Sequence, residues 1–305
     1  MRSVVARAPG KINVSFRVGP PREDGYHPVA SLYLAVSLYE DVAASARADA
    51  EITVSLNPNS TSVVDPEDFP LGEDNLVVRA ARLLADHTGH VAGVHLDITK
   101  RVPVAGGMGG GSADAAAALV ACNALWGTGL TREDLGRLGA RLGADVPFAL
   151  SGGAAVGLGV GDELSPLLLR GRSDWVLVPA SYGLSTPKVY AMLDTLREGL
   201  DVPTPEQVDP DLVQALLVGD LDRLADLVAN DLTPAALALA PELGPVLEMG
   251  DRAGALAALV SGSGPTVAML VRDGGHAEQL VTQLQDEAGV DAFPVHGPVH
   301  GARIL

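Results

Sequence analysis

Along most of this chain, short apolar runs alternate with polar positions and are cut by glycine and proline. In the first third the period is mainly two, which is strand spacing. Residues 3–8 and 12–18 read as two strands separated by Pro9-Gly10, and 20–25, Pro-Pro-Arg-Glu-Asp-Gly, reads as a turn-rich loop. Ala30 to Leu38 is a β-like run. Ile52, Val54 and Leu56 alternate with polar residues in a half-buried strand, and 57–71 is a loop. From Asn75 to Thr88 the period changes: Leu76, Ala80, Leu83 and Leu84 share one face of a helix. Val94 to Ile98 is a strand that feeds the stretch Pro103 to Asp114, five of whose twelve residues are glycine.

Beyond the glycines, Ala115 to Trp126 predicts a helix stopping near Gly127. Thr131-Arg-Glu-Asp134 has the form of a capping box and opens a helix that ends near Gly143. Residues 147–161 read as a glycine-rich strand pair. A second unit begins near Leu164, which gives expected domains 1–163 and 164–305. In it, Trp175 to Pro179 is a strand and Pro187 to Leu196 a helix. Leu212–Val218 and Leu221–Val228 are short helices, with further helical segments up to Leu259. Val267 to Val271 is a strand, His276 to Glu287 a helix and Phe293 to Val295 a closing strand. Strands and helices mix without regular βαβ alternation in the first half, so the expected class is α+β.

Composition narrows what such a chain does. Hydrophobic residues are 47% of 305, enough to bury a core, yet no apolar stretch reaches the 18 residues of a membrane span. The first residues lack the long apolar core of a signal peptide. Cys122 is the only cysteine, so no internal disulfide forms, and a cytoplasmic location is expected. The formal net charge of −17 argues against nucleic acid as a partner. The cations are chosen unevenly: of 21, only Lys11, Lys100 and Lys188 are lysine. Where arginine is the rule, each lysine is a candidate for a place that needs a compact ammonium.

The glycine stretch carries the clearest chemistry. Backbone N–H groups approach a ligand closely where no side chain intervenes, and a helix starting there adds free N–H groups and its dipole. The pair predicts a phosphate cradle. It is not a Walker A loop, because Ser112 stands where the lysine belongs, and it fails the dinucleotide pattern at Ser112 or Asp114. Three other segments stand out. Lys11 follows the Pro9-Gly10 turn and could neutralise a phosphate or sit solvated at the surface. Asp145, in Gly143-Ala-Asp-Val-Pro-Phe148, could be a loop carboxylate or a buried base. Ser261-Gly-Ser-Gly-Pro-Thr266 is a second glycine turn entering a strand.

Together, Pro9-Gly-Lys-Ile-Asn13, Gly106-Gly-Met-Gly-Gly-Gly-Ser-Ala-Asp114, Gly143–Phe148 and Ser261–Thr266 resemble the GHMP family of small-molecule kinases, over nearly the whole chain. The resemblance implies a two-domain fold, ribosomal-protein-S5-like then ferredoxin-like, and an ATP-dependent phosphotransferase using Mg²⁺. It implies ATP held by Pro103, Val104, Ala105, Gly106, Gly107, Met108, Gly109, Gly110, Gly111, Ser112 and Ala113, with Asn75 and Lys100 contributing, and Mg²⁺ at Ser112. Lys11 and Asp145 would be the catalytic pair.

Within the family, Asp24-Gly-Tyr-His27, Asn75-Leu-Val-Val-Arg-Ala80 and Thr186-Pro-x-Val-Tyr190 resemble the branch acting on cytidine-diphosphate methylerythritol in non-mevalonate isoprenoid synthesis. By that resemblance Asn13, Tyr26, His27 and Tyr190 would hold the substrate. With aromatic residues at 4%, Tyr26 and Tyr190 are scarce enough to serve as stacking surfaces for a pyrimidine. Monomer and homodimer both stay open, as do a sister kinase of mevalonate or homoserine type and a non-catalytic nucleotide-binding regulator.

Overall fold

The structure is a computed structural model describing residues 2–62, 69–91 and 93–305; residues 63–68 of the expected 57–71 loop lie outside the described residues. The chain opens on two long strands, β1 (Ser3–Val18) and β2 (Val29–Ala46). β1 is one strand where the sequence suggested two. Pro9 stays in the ladder opposite Tyr39, and the register shifts between Pro9 and Gly10, so the turn-forming pair makes a bulge rather than a break. β2 likewise runs eight residues beyond Leu38, because Glu40 and Asp41 are carried inside the strand by charged partners instead of ending it.

Next come β3 (Ile52–Leu56), α1 (Leu76–Thr88), β4 (Val94–Thr99) and α2 (Gly110–Trp126). α2 starts five residues before the alanine run, so the last three loop positions, Gly110, Gly111 and Ser112, are its first turn. It is buried on every side, and its alanines Ala113 and Ala115–Ala118 let strands and neighbouring helices approach closely. α3 (Arg132–Ala140) opens with the expected capping box at Thr131 and Asp134. It then stops, and α4 (Asp145–Ser151) follows as a separate short helix. Residues 147–151 are therefore helical, not the start of a strand pair.

β5 (Ala154–Leu158) pairs with β2 and with β6 (Glu163–Leu167), so the first sheet runs past residue 163. The second half holds β7 (Ser173–Val178), α5 (Thr186–Leu196), α6 (Pro210–Val218), α7 (Leu221–Leu227) and β8 (Ala229–Asn230). It continues with α8 (Thr233–Leu239), α9 (Leu243–Arg252), β9 (Ala257–Val260) and β10 (Val267–Val271). α10 (Gly274–Ala288), β11 (Phe293–Gly297) and β12 (Arg303–Ile304) end the chain. β9 falls where further helix was expected: Ala257-Ala-Leu-Val260 is too short an apolar run for its period to be read. β11 is not the closing strand, since β12 returns to pair with β1.

The larger sheet has the order β12-β1-β2-β4-β3, with β5 and β6 branching from β2 and β8 pairing with β1. The smaller sheet has the order β11-β7-β10-β9, every neighbour antiparallel. Numbered by position in the chain this is 4-1-3-2, the ferredoxin-like order. Its strands alternate strictly. Val176, Val178, Val267, Met269 and Val271 pack on Ala277, Leu280 and Leu284 of α10. Trp175, Leu177, Ala268 and Leu270 face Ile12, Val14, Leu32 and Leu34 of the larger sheet. One apolar core thus joins the two halves, and it fixes the glycine stretch against the second glycine turn.

Candidate active site

The cradle is built by tying carbonyls outward. Leu184 N–H donates to Ala105 O (3.4 Å), Thr266 N–H to Gly106 O (3.3 Å), Ser261 Oγ to Gly107 O (3.3 Å) and Lys11 N–H to Met108 O (3.0 Å). Four successive carbonyls are held by β1, by the segment before α5 and by the second glycine turn. Among the described residues, the N–H groups of residues 107–112 find no acceptor in the protein. Those of Gly110, Gly111 and Ser112 are the free donors of the first turn of α2. Donors on consecutive residues beside a helix N-terminus make an anion site.

β1 places the two groups that face it. Ile12 and Val14 point into the core between the sheets, so Lys11 and Asn13 share the other side of the strand. Lys11 is nearly buried, and its Nζ donates to Asn13 Oδ1 (2.7 Å). Asn13 Nδ2 donates to Ser31 Oγ (2.7 Å), which donates to Ser15 O (2.9 Å), so the amide has one orientation. Asp145, first residue of α4, brings its Oδ2 to 3.7 Å from Lys11 Nζ. Lys11 also lies 5.4 Å from the centre of the Tyr33 ring.

A cavity of about 570 Å³ runs over Lys11, Asn13, Asp145, Ser112 and the glycines to Tyr190. Among the described residues that line it, Asp145 is the only carboxylate and Lys11 the only cation. The tyrosines there are not alternative bases. Burial, then the charge of Asp145, pushes the phenols of Tyr33 and Tyr190 well above their ordinary range, so both stay protonated. A second cavity of about 650 Å³ adjoins the first at Pro103 and Ala105 and is walled by Leu38, Phe69, Arg101 and Tyr182. The residues that lead into the glycines, Pro103 and Ala105, border both.

The structure brings together most of the residues expected from sequence and reassigns some. Lys11, Asn13, Asp145, Ser112, Tyr190, Pro103, Ala105, Gly106, Gly107 and Gly109–Gly111 all line the first cavity; Val104 lines the second. Met108 and Ala113 are buried beneath it. His27 is buried, pairs its Nε2 with Asp194 Oδ1 (2.8 Å) and packs on Tyr190 with ring centres 4.9 Å apart. Tyr26 is 64% exposed and does not line the cavity.

Lys100 and Asn75 both make contacts within the protein. Lys100 does not reach either cavity, being 2% exposed between Glu40 and Asp114. Asn75 is the N-cap of α1: its Oδ1 accepts from Val77 N–H (2.9 Å) and its Nδ2 donates to Pro70 O (2.6 Å). Asn75→Ala is therefore expected to lower stability by about 0.5–2 kcal/mol, the cost of a lost N-cap. Thermal unfolding measures that, and the KM for ATP should not move.

Residues that sequence reasoning missed include Ser31, Tyr33 and Ser185. Lys11, Asn13 and Ser15 do form a polar row in an apolar strand, a signal that points to a buried polar face. Ser31 and Tyr33 belong to the facing strand β2: register pairs Tyr33 with Asn13, and Ser31 joins the row through its hydrogen bonds with Asn13 and Ser15.

The chain is similar to known proteins in sequence and in fold. Residues 75–153 match the family model described as "GHMP kinases N terminal domain", and 212–291 match "GHMP kinases C terminal". The 4-diphosphocytidyl-2-C-methyl-D-erythritol kinase of Pseudarthrobacter chlorophenolicus is 58% identical over 306 aligned residues, covering 100% of this chain and 95% of that protein. The protein of the same name from Arthrobacter sp. is 60% identical with the same coverage. A crystal structure of 4-(cytidine 5'-diphospho)-2C-methyl-D-erythritol kinase superposes with a TM-score of 0.75 at 30% identity, covering 97% of this chain and 98% of that one. Homoserine kinase from Cytophaga hutchinsonii gives the same TM-score at 21% identity, which shows a shared fold. Matched in both halves and over its whole length, the chain belongs to the GHMP kinase family.

Proposed function

We propose that this chain transfers the γ-phosphoryl group of ATP to the 2-hydroxyl of 4-diphosphocytidyl-2-C-methyl-D-erythritol, a step of non-mevalonate isoprenoid synthesis, releasing ADP. One observation carries the chemistry: the lone carboxylate and lone ammonium of the cavity sit side by side at the mouth of a phosphate cradle. The substrate follows from full-length relatives bearing that name. Tyr190 lines the cavity and packs on the buried His27, an aromatic face that supports a pyrimidine there.

In this reading the hydroxyl oxygen bonds to the γ-phosphorus as the bond to the β–γ bridging oxygen breaks, and ADP leaves with that electron pair. Asp145 takes the hydroxyl proton. Lys11, held by Asn13, offsets charge on the equatorial oxygens, and the loop N–H groups fix the phosphates in line. The acceptor is a tertiary alcohol, so alignment matters at least as much as basicity. Mg²⁺ fits the donors present. Among the described residues no group of three His, Cys, Asp or Glu could hold a metal, whereas Ser112 offers one hydroxyl beside the phosphate site. That is the sparse donor set of an ion coordinated largely by phosphate oxygens and water. Bound through Ser112, it would neutralise phosphate charge.

The test is ADP release with 4-diphosphocytidyl-2-C-methyl-D-erythritol set against mevalonate, homoserine and galactose. Turnover with the first and not the others is expected. Turnover with another and not the first would keep the family and overturn the substrate.

A further inference from the structure

Three charges lie beneath the cradle. Lys100, at the end of β4, directs its Nζ to Glu40 Oε1 (2.6 Å) on β2 and to Asp114 Oδ2 (2.6 Å) on α2. Glu40 is fully buried, and it also accepts the N–H groups of Arg101 (Oε2, 3.0 Å) and Val102 (Oε1, 3.2 Å), the residues that lead into the loop. Asp114 lies one helical turn after Gly110 and so on the same side of α2. The cluster reaches the cradle floor itself: a Cβ on Gly110 would stand 3.3 Å from both Glu40 Oε1 and Lys100 Nζ.

Stability explains this arrangement poorly. Burying three charges is expensive, and apolar replacement of such clusters is often neutral or stabilising. Geometry explains it better. One ammonium links the strand that enters the loop, the strand behind it and the helix that leaves it. A compact ammonium with three directed donors suits a junction of three elements, where the longer planar guanidinium would not. Lys100 is one of only three lysines in the chain.

We propose that Lys100 is a positioning residue for phosphoryl transfer: through Glu40 and Asp114 it sets the separation between the two flanks of the glycine loop, and hence the spacing of the N–H groups that hold ATP. The proposal rests on ATP occupying this loop, not on the identity of the acceptor.

Direct calorimetric titration with Mg-ATP tests it without an acceptor. Three variants are compared: Lys100→Met; Lys100→Arg, which keeps the charge; and Glu40→Gln with Lys100→Met and Asp114→Asn, which leaves no unpaired charge. The triple and arginine variants are expected to fold, to bind ATP about 10- to 100-fold more weakly and to raise the KM for ATP, since misplacing groups by about 1 Å costs on the order of 10². The KM for the acceptor should stay put. A purely structural role would lower the unfolding temperature and leave both KM values of the folded protein unchanged. Wild-type ATP affinity in the triple variant, or in Lys100→Arg should the triple variant not fold, would overturn the proposal. If no nucleotide bound even the unaltered protein, the cradle reading would fail first.

Discussion

Asp145→Asn is expected to lower kcat by about 10²–10⁴, the usual contribution of a positioned general base, while ATP binds as before. That loss corresponds to about 3–5 kcal/mol of barrier, at 1.36 kcal/mol per tenfold. The substitution preserves shape and removes only the ability to take a proton. Lys11 keeps its position in the variant, because its short hydrogen bond is to Asn13 and the carboxylate lies farther off at 3.7 Å. The cradle is independent of Asp145, being held by Leu184, Thr266, Ser261 and the Lys11 backbone. Neither phenol in the cavity takes over, since both are held protonated. Single-turnover measurements with saturating ATP separate chemistry from binding. Near-normal turnover would remove Asp145 as the base. Lys11→Met in the same background adds a second reading: if the two groups act as a unit, the double variant loses much less than the product of the single losses.

The loop that forms the cradle was legible in the sequence because glycine at close range has few other uses, and the Gly106–Ser112 spacing excluded the two commonest cradles. What could not be read was convergence. Lys11, Ser112, Asp145 and Ser263 come from four distant segments, and only the core joining the two sheets makes them neighbours. Local errors have local causes. Pro9-Gly10 carries a strong break signal, yet pairing along the whole of β2 overrides it and leaves a bulge. Glu40 looks like a strand terminator until Lys100, sixty residues on, supplies its partner. The same pairing fixes where the Lys100 side chain goes. Nothing in the linear sequence shows that two carboxylates hold its ammonium. Desolvation pushes the Glu40 and Asp114 carboxyls up, and the Lys100 ammonium between them opposes it. Burial also pulls on Lys100, but the two carboxylates outweigh it and hold the ammonium charged.

Gly107→Ala is expected to abolish useful ATP binding, through a clash that no side chain can relieve. Gly107 has φ of +76°, where alanine is strained by about 1–2 kcal/mol. That strain alone is survivable. The greater penalty is steric: a Cβ there would stand 2.0 Å from Ser261 O and 2.9 Å from Gly264 N. Both are backbone atoms of the second glycine turn, so relief requires the loop and the turn to separate. Separation breaks the bonds that hold the Gly106 and Gly107 carbonyls outward and frees the cradle N–H groups to reorient. A displacement of about 1 Å at this point is worth on the order of 10² in rate, in addition to the lost affinity. Gly127→Ala provides the control. Gly127 caps α2 at φ of +65° with nothing within 4 Å of a new Cβ, so it carries the left-handed cost without the clash. The control should unfold at a lower temperature and keep its KM for ATP; Gly107→Ala should lose ATP affinity even where it remains folded. Equal effects of the two substitutions on ATP affinity would mean that contact between the glycine loop and the Ser261–Gly264 turn does not shape the phosphate site.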